Sequence, residues 1–571
     1  MADVSDLLNE GVWQVRKIGV VGPGIVGMPM AALLANARIR EGASAQARVL
    51  VVQRNSPTSG WKVPAINAGK SVIGGIEPDL DAIVADTVAA GLLGASHDYA
   101  ELADADVILV CVQTDKKGFE PDYGPLLGAL GNIARVLRSR PAGQPPLIVI
   151  ESTLAPSSMA TVVRDVFAAE GLLEGQDVLL GNSPNRVMPG RLVERVAASD
   201  KIVAGLHPVT PQLIRRLYAR VVTGGTLHRT NSMTAEVVKT LENAYRDVRI
   251  AFSAEVCRYC DDHDIDFYAV RDEVNFRLSQ ADDASSDPNA VPSGGLLVPT
   301  VGVGGHCLPK DGILLWWRRI KEPASARSII LASRHVNDAS PAETIKLAER
   351  SFGPVGGRPV AILGAAYRFN SEDTRNSPSL ALARELLGRG CRVAIHDPFV
   401  RPNDQNLLRF GLEGHFTTDL AQALAGAELL FFCTAHRPYA EGREALLSLA
   451  GSAKGVVDAC NLFHRDDFAG GRLGYTGIGR GRQAPPAGFV EFVLAAFQAM
   501  ERGTANELSA TIDFLNEHYA HGEFNRIDID EVRRIAGTCV TGCAIAAPGP
   551  VAAVAPFQGF LPRLTQMAVA G

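Results

Sequence analysis

The chain of 571 residues has no basic excess. Its formal net charge is −6, so nothing in its charge recommends nucleic acid or an anionic membrane as a partner. It has no apolar run long enough to read as a membrane span. Its first residues, Met-Ala-Asp-Val-Ser-Asp-Leu-Leu, carry acids and lack the long apolar core of a signal peptide, so none is expected. Nine cysteines, an odd number, are scattered without disulfide-like spacing, which fits a reducing, cytoplasmic setting. Short-period repeats are missing too. What the chain does have is apolar material, 47% of its residues, enough for large cores in about three or four domains of ordinary size.

Strand-like runs at 15–21, 49–52, 107–112 and 147–150 alternate with helical stretches such as 28–37. That order predicts an α/β domain with a doubly wound parallel sheet. Residues 234–263 contain no proline or glycine and are rich in helix formers, so one long helix is expected there, a spine between domains or a surface for pairing two copies. Residues 280–304 are rich in Ser, Asp, Pro and Gly and read as a loop. Lys321-Glu322-Pro323-Ala324-Ser325 reads as a hinge, after which the alternation restarts with strands at 359–364, 392–397, 429–433 and 455–458. The predicted division is an N-terminal extension 1–14, a first Rossmann domain 15–205, a helical central domain 206–325, a second Rossmann-like domain 326–500 and a C-terminal extension 501–571. The apolar tail 539–560 is interrupted by Gly542, Pro548, Gly549, Pro550 and Pro556, and is expected to pack on a surface or a partner.

Between the first strand and its helix stands Gly22-Pro23-Gly24-Ile25-Val26-Gly27, a G-x-G-x-x-G in the strand–helix context that gives the motif meaning. Its backbone amides and the helix N-terminus suit a pyrophosphate, so a nicotinamide dinucleotide is expected. The second strand ends in Gln53-Arg54-Asn55-Ser56 where an acid normally binds the ribose 2′-hydroxyl. NAD is the expected cofactor, with NADP an alternative because Arg54 suits a 2′-phosphate; a solvent-facing or adenine-stacking Arg54 is the plainer reading. No metal is called for. Cys257 and Cys260 form a C-x-x-C without a second pair, and Cys539 and Cys543 lie in the apolar tail; neither pair carries a metal or redox argument.

Val303-Gly304-Gly305-His306-Cys307-Leu308-Pro309-Lys310-Asp311 sets a lone cysteine after two glycines, with a cation and a carboxylate close behind. Alone, it is equally a glycine turn before an inert thiol. Three further segments weigh against that. Glu151-Ser152-Thr153 follows a strand. Lys239 and Asn243 share one face of the long helix. Gly364-Ala365-Ala366-Tyr367-Arg368 and the run Ser371 to Pro378, with Arg375, open the second α/β domain. Together, over residues 15–500, these motifs resemble the UDP-glucose/GDP-mannose dehydrogenase family. His306 and Glu151-Ser152-Thr153 resemble its UDP-N-acetylhexosamine branch, while Pro309-Lys310-Asp311 resembles the UDP-glucose and GDP-mannose branches.

The resemblance implies two Rossmann-like domains joined by a helical one, and a nucleotide-sugar C6 alcohol oxidised to a carboxylate with two nicotinamide cofactors reduced. Cys307 would be the nucleophile that carries a thiohemiacetal and then a thioester. Lys239 and Asn243 would stabilise the alcohol oxygen, and Asp311 would activate a water placed with Thr153. Gly22, Gly24, Ile25, Val26, Gly27, Arg54, Thr114 and Thr153 would contact the cofactor. Lys239, Asn243, Gly302, Gly304, Gly305, Arg368 and Arg375 would contact the sugar nucleotide, with 294–305 wrapping it; the competing reading for both arginines is a surface pair with Glu372 or Asp373. A homodimer or larger homo-oligomer is implied, paired through the long helix. The chain departs from the pattern at Asn185, where a carboxylate is expected and an amide cannot act as a base. Glu151 and Glu194 are candidate substitutes. A two-electron enzyme that stops at the aldehyde, or a catalytically silent nucleotide-sugar sensor, are the alternatives this departure leaves. A β-hydroxyacid dehydrogenase would share the Rossmann domain and the Lys/Asn helix but not the cysteine motif or the second α/β domain.

Overall fold

In the computed structural model, residues 4–74, 77–141, 143–186, 190–278, 295–539 and 545–570 are described. Most of the expected loop at 280–304, the start of the 294–305 wrap, the end of the Asn182–Gly190 segment and Cys543 lie outside them. The chain divides into two compact units, Met1–Glu242 with Ala510–Val540, and Asn243–Ser509 with Thr541–Gly571.

The first unit is built on an eight-stranded sheet of β1 (Lys17–Val21), β2 (Arg48–Val52), β3 (Leu93–Ser96), β4 (Val107–Val110), β7 (Leu147–Ile150), β8 (Leu179–Asn182), β9 (Lys201–Gly205) and β10 (Leu227–Asn231). A hairpin of β5 (Asp115–Lys117) and β6 (Glu120–Asp122) stands apart. The sheet order is β10-β9-β8-β7-β4-β1-β2-β3. Its central strands β4 and β7 are buried along their whole length, which is why they read as unbroken Val/Ile/Leu runs. The expected parallel sheet holds with one exception, since β8 pairs antiparallel with β9. The reversal runs through Gly181 opposite Gly205, and a Cβ on Gly181 would meet Ala204 O at 2.6 Å, so the close approach needs glycine there.

The second unit carries a six-stranded, wholly parallel sheet of β11 (Pro359–Leu363), β12 (Arg392–His396), β13 (Phe416–Thr417), β14 (Leu429–Phe432), β15 (Gly455–Asp458) and β16 (Gly474–Gly477), in the order β13-β12-β11-β14-β15-β16. Its core is formed by Val360, Ile362, Leu380, Leu386, Ile395, Phe431 and their neighbours.

Eight helices matter for the site: α1 (Gly27–Asn36), α2 (Lys62–Asn67), α3 (Ser232–Asp262), α4 (Phe267–Arg277), α5 (Leu308–Trp316), α6 (Ile329–Asp338), α7 (Phe489–Tyr519) and α8 (Ile529–Ala536). The long helix expected at 234–263 is α3, of 31 residues. Only its last residue, Asp262, is exposed. In the second unit its Phe252 meets Phe497 edge-on with centroids 5.5 Å apart, and Tyr259 stacks on Phe489 and Phe560 at 5.3 and 4.3 Å. The chain's own C-terminal segments thus pack against this helix. The boundary drawn at residue 500 falls inside α7, a continuous helix through that point. The hinge at 321–325 is a turn running into the 3-10 helix Pro323–Arg327.

Candidate active site

In the first unit, β1 runs into the glycine turn as expected. Gly22 has φ +94, and a Cβ on Gly27 would meet Gly22 O at 2.1 Å, so both positions need glycine. A Cβ on Gly24 would meet nothing within 4 Å. That open ground lies before the amino end of α1, whose N-cap Val26 supplies no side-chain cap. Room for close backbone approach beside uncapped helix amides is what a dinucleotide pyrophosphate requires, so the chain fits the group. Ile25 is exposed on the same turn. Lys62, at the start of α2, donates to Pro23 O at 3.1 Å, and burial lowers its ammonium below the ordinary lysine range. The Thr114 hydroxyl donates to Thr153 O at 2.8 Å, which ties the turns after β4 and β7 together.

Glu151 is sealed at the end of β7. Its Oε2 accepts Lys201 Nζ at 2.8 Å and Asn185 Nδ2 at 2.7 Å, and its Oε1 accepts the Tyr218 hydroxyl. With no exposed side-chain surface and both oxygens bonded, Glu151 is a structural carboxylate, not the substitute base considered for Asn185. Glu194 is 65% exposed and lies 3.6 Å from Arg191, a surface pair. The amide at 185 has a local reason, since a carboxylate there would press a second negative charge on Glu151. The next residue, Arg186, is buried. It pairs with Glu242 at 2.6 Å and donates to Thr538 Oγ1 at 3.0 Å and Ile535 O at 2.9 Å. Lys239, also in this unit, is 8% exposed. Its charge reaches Glu242, whose carboxyl is raised by burial against the pull of Arg186 and Lys239.

In the second unit, Cys307 is exposed and occupies the N-cap of α5, with no side-chain cap of its own. Its carbonyl accepts Lys310 N at 3.0 Å and Asp311 N at 2.9 Å, which starts the helix. Asp311, one turn on, is fully buried. Asn243 Nδ2 donates to its Oδ2 at 2.6 Å, while among the described residues Oδ1 has no hydrogen-bond partner and lies 3.5 Å from the buried Lys310 ammonium. Asn243 and Asp311, 68 residues apart, are thus brought together.

The loop before Cys307 is fixed by the second sheet's first turn. Gly305 N donates to Arg375 O at 2.8 Å, and Asn376 Nδ2 donates to Gly305 O at 2.9 Å. Gly305 has φ +87, and a Cβ there would meet the Tyr367 ring at 2.9 Å; on Gly304 it would meet Tyr367 Cβ at 2.3 Å. Gly302 packs on Pro378. Arg375 itself forks onto Asp373 at 2.6–3.1 Å, the geometry of the surface-pair reading, and that bond with the carboxylate raises the guanidinium's basicity further. Arg368 lies 5.7 Å from the Phe369 ring. Tyr367 and Asn376 stand within the segments at 364–368 and 371–378, but the contact of Tyr367 with the glycines exists only in space. Burial pushes the Tyr367 phenol up to about 12.

The amides of the second domain's own glycine turn are taken by its own chain. Ala365 N and Ala366 N both donate to Asp397 Oδ2, at 2.8 and 2.9 Å, and His436 Nε2 lies 2.9 Å from the same oxygen. A pyrophosphate has no such donors there. Cys257 and Cys260 are buried on α3 with thiols raised by burial, and among the described residues no group of three or more His, Cys, Asp or Glu could hold a metal ion.

Two Rossmann-type sheets, one with an open dinucleotide turn, and an exposed cysteine capping a helix one turn before a buried carboxylate define a dinucleotide-dependent oxidoreductase. Family models agree in all three parts: the NAD binding domain of the UDP-glucose/GDP-mannose dehydrogenase family matches residues 16–222, its central domain 233–339 and its UDP binding domain 361–465. The chain belongs to the UDP-glucose/GDP-mannose dehydrogenase family, NAD-dependent oxidoreductases that act on nucleotide sugars. It is 27% identical to a UDP-N-acetyl-D-mannosamine dehydrogenase of Pyrococcus horikoshii over 469 residues, 81% of this chain and 99% of that protein. It is 30% identical to an NDP-N-acetyl-D-galactosaminuronic acid dehydrogenase of Ralstonia nicotianae over 440 residues, 74% of this chain and 92% of the relative. Among solved structures, an NDP-N-acetyl-D-galactosaminuronic acid dehydrogenase from Methanosarcina mazei Go1 superposes with a TM-score of 0.69 at 30% identity, covering 84% of this chain and 98% of the other. Among the described residues no helix is long and apolar enough to cross a membrane.

Proposed function

We propose that this protein oxidises the C6 alcohol of a UDP-hexose or UDP-N-acetylhexosamine to the uronate through a covalent Cys307 intermediate. The observation that carries the reading is the pairing of an exposed Cys307 at the start of α5 with Asp311 one turn on, its Oδ2 held by Asn243 and its Oδ1 left without a hydrogen bond. The relatives' names point to N-acetylated sugars.

Each residue has a role its chemistry allows. A water held at Asp311 Oδ1, placed with Thr153, takes the alcohol proton. Lys239 and Asn243 supply a cation and an amide donor for the oxygen as charge grows on it. The nicotinamide, bound at Gly22, Gly24, Ile25, Val26 and Gly27 with Thr114 and Thr153 nearby, would accept a hydride in each of the two oxidations. The Cys307 sulfur, at the positive end of a helix dipole, adds to the aldehyde carbon to form a thiohemiacetal. Loss of the second hydride from that carbon leaves a thioester. Water then adds, the C–S bond breaks, and carboxylate and thiol are released. Gly302, Gly304 and Gly305 present backbone to the sugar nucleotide, with Arg368 and Arg375 toward its phosphates.

In this reading residues 15–205 bind the cofactor, 206–325 carry the cysteine loop and 326–500 bind the nucleotide. The enzyme works in the cytoplasm, where its thiols stay reduced, and as a homodimer or larger homo-oligomer paired through the long helix α3.

The test incubates the purified protein with UDP-, GDP-, CDP- and TDP-sugars and follows reduced cofactor. Two equivalents per sugar are expected, and Cys307→Ser should cut carboxylate formation by at least about 10³-fold. Asn185 with its amide gives the aldehyde-stopping variant its one structural argument, and a single equivalent per sugar would establish it. Tight nucleotide binding without turnover on any sugar would make the protein a sensor and overturn the proposal.

A further inference from the structure

The turn that follows β2 is made for a phosphate, not for a bare ribose. β2 ends beside the glycine turn, with Gly22 N bonded to Val52 O at 3.0 Å, so residues 53–59 border the adenosine end of the dinucleotide site. A 2′-hydroxyl would be recognised there by a carboxylate, and the run Gln53-Arg54-Asn55-Ser56-Pro57-Thr58-Ser59 contains none. Gln53 is turned away into the turn, its Nε2 donating to Ser59 Oγ at 2.9 Å and to Arg54 O at 3.3 Å.

Three hydroxyls gather in its place. Ser56 Oγ lies 2.7 Å from Ser59 Oγ and 3.4 Å from Thr58 Oγ1. The turn that holds them is closed by its own backbone, with Ser59 N and Gly60 N both donating to Ser56 O, at 3.2 and 2.8 Å. Arg54 is exposed, and among the described residues no acid pairs with it. The nearby acids are engaged elsewhere: Glu101 accepts Ser96 Oγ at 2.5 Å, and Asp98 caps the turn at Tyr99 by accepting Ala100 N at 2.8 Å. Lys62, bonded to Pro23 O, adds a second cation at the neighbouring glycine turn.

We propose that this turn is a 2′-phosphate site, with Arg54 forking onto the phosphate and the Ser56, Thr58 and Ser59 hydroxyls donating to it, so that the protein binds NADP at least as tightly as NAD. The inference rests on the dinucleotide reading of the first unit. It is independent of which sugar is oxidised. A dianionic phosphate satisfies an unpaired guanidinium and clustered hydroxyl donors together, whereas NAD offers them only a hydroxyl.

Direct calorimetric titration of the full-length protein with NADP and with NAD, without sugar, reads this apart from turnover. The expected result is a Kd for NADP equal to or below that for NAD. Arg54→Ala should raise the ratio of the NADP to the NAD constant by about tenfold or more. Arg54→Lys should restore part of it, and the paired Ser56→Ala and Ser59→Ala change should raise the ratio further. A wild-type Kd for NADP more than about tenfold above that for NAD, or a ratio unmoved by Arg54→Ala, would overturn the proposal. Binding of neither dinucleotide would instead count against the dinucleotide site itself.

Discussion

Three buried or half-buried carboxyls show how position alone divides one chemistry into different tasks. Glu151 is saturated by Lys201, Asn185 and Tyr218 and can only hold the fold together. Asp311 keeps one oxygen without a hydrogen bond and is suited to act on water. Asp261, near the end of α3, accepts Gly479 N at 2.9 Å, and burial pushes it up to about 7. The native state holds a proton on Asp261 that the unfolded chain, with a carboxyl near about 3.9, gives up. Its stabilising contribution is complete below about pH 4 and is lost as the pH rises through about 7. Asp261→Asn still accepts the Gly479 bond but does not titrate. Its melting temperature should therefore fall less than the wild type's between pH 5 and pH 8, and parallel curves would exclude the assignment. Cys307 was legible at this scale because glycines, cysteine, lysine and aspartate stand together in the sequence. Tyr367 was not, because its contact with Gly304 and Gly305 spans more than sixty residues of chain.

Among elements, α5 and α3 are the ones the proposed chemistry would need held still, and helix α7, beyond the matched family domains, packs on both. Glu507 accepts Trp316 Nε1, at the far end of the Cys307 helix, and Ser328 Oγ, both at 2.5 Å, and it caps α6 through Ile329 N at 2.7 Å. Glu501 accepts the Tyr245 hydroxyl of α3 at 3.0 Å and the Arg249 guanidinium. Glu507→Ala strands these donors, each worth about 1–3 kcal/mol when left unmade. Denaturant unfolding should show a loss of at least about 2 kcal/mol. An unchanged midpoint would mean that water replaces the carboxylate there. The strands and α3 were read correctly because apolar runs and an uninterrupted helix-forming stretch mark them. The edge strands β3, β10, β13 and β16, and the inner strands β8 and β9, do not stand out in the sequence because they are short or mix polar residues or glycine into the run.

Across the molecule, the C-terminal residues behave as core. Leu508, Ile512, Leu515, Val532 and Ile535 are all at most 3% exposed. At about 1.5–3 kcal/mol for each buried side chain, their removal rivals the entire net stability of a typical domain, about 5–15 kcal/mol. A chain ended at residue 500 is expected to be insoluble or to lack a cooperative melting transition by circular dichroism. A soluble truncate melting within a few degrees of the full chain would show that these residues are dispensable.

The sequence by itself determined the two Rossmann-like sheets, the dinucleotide turn and the cysteine motif, since each rests on residues adjacent in the chain whose conformations follow from local chemistry: glycine at φ +94, strands of Val and Ile, a cysteine ahead of a proline-started helix. Only the tertiary structure decided what required distant residues to meet. It joined Asn243 to Asp311, closed Glu151 inside its own network and packed the chain's own end on α3. Those outcomes depend on burial and on which donor reaches which acceptor, and neither is set until the chain has packed.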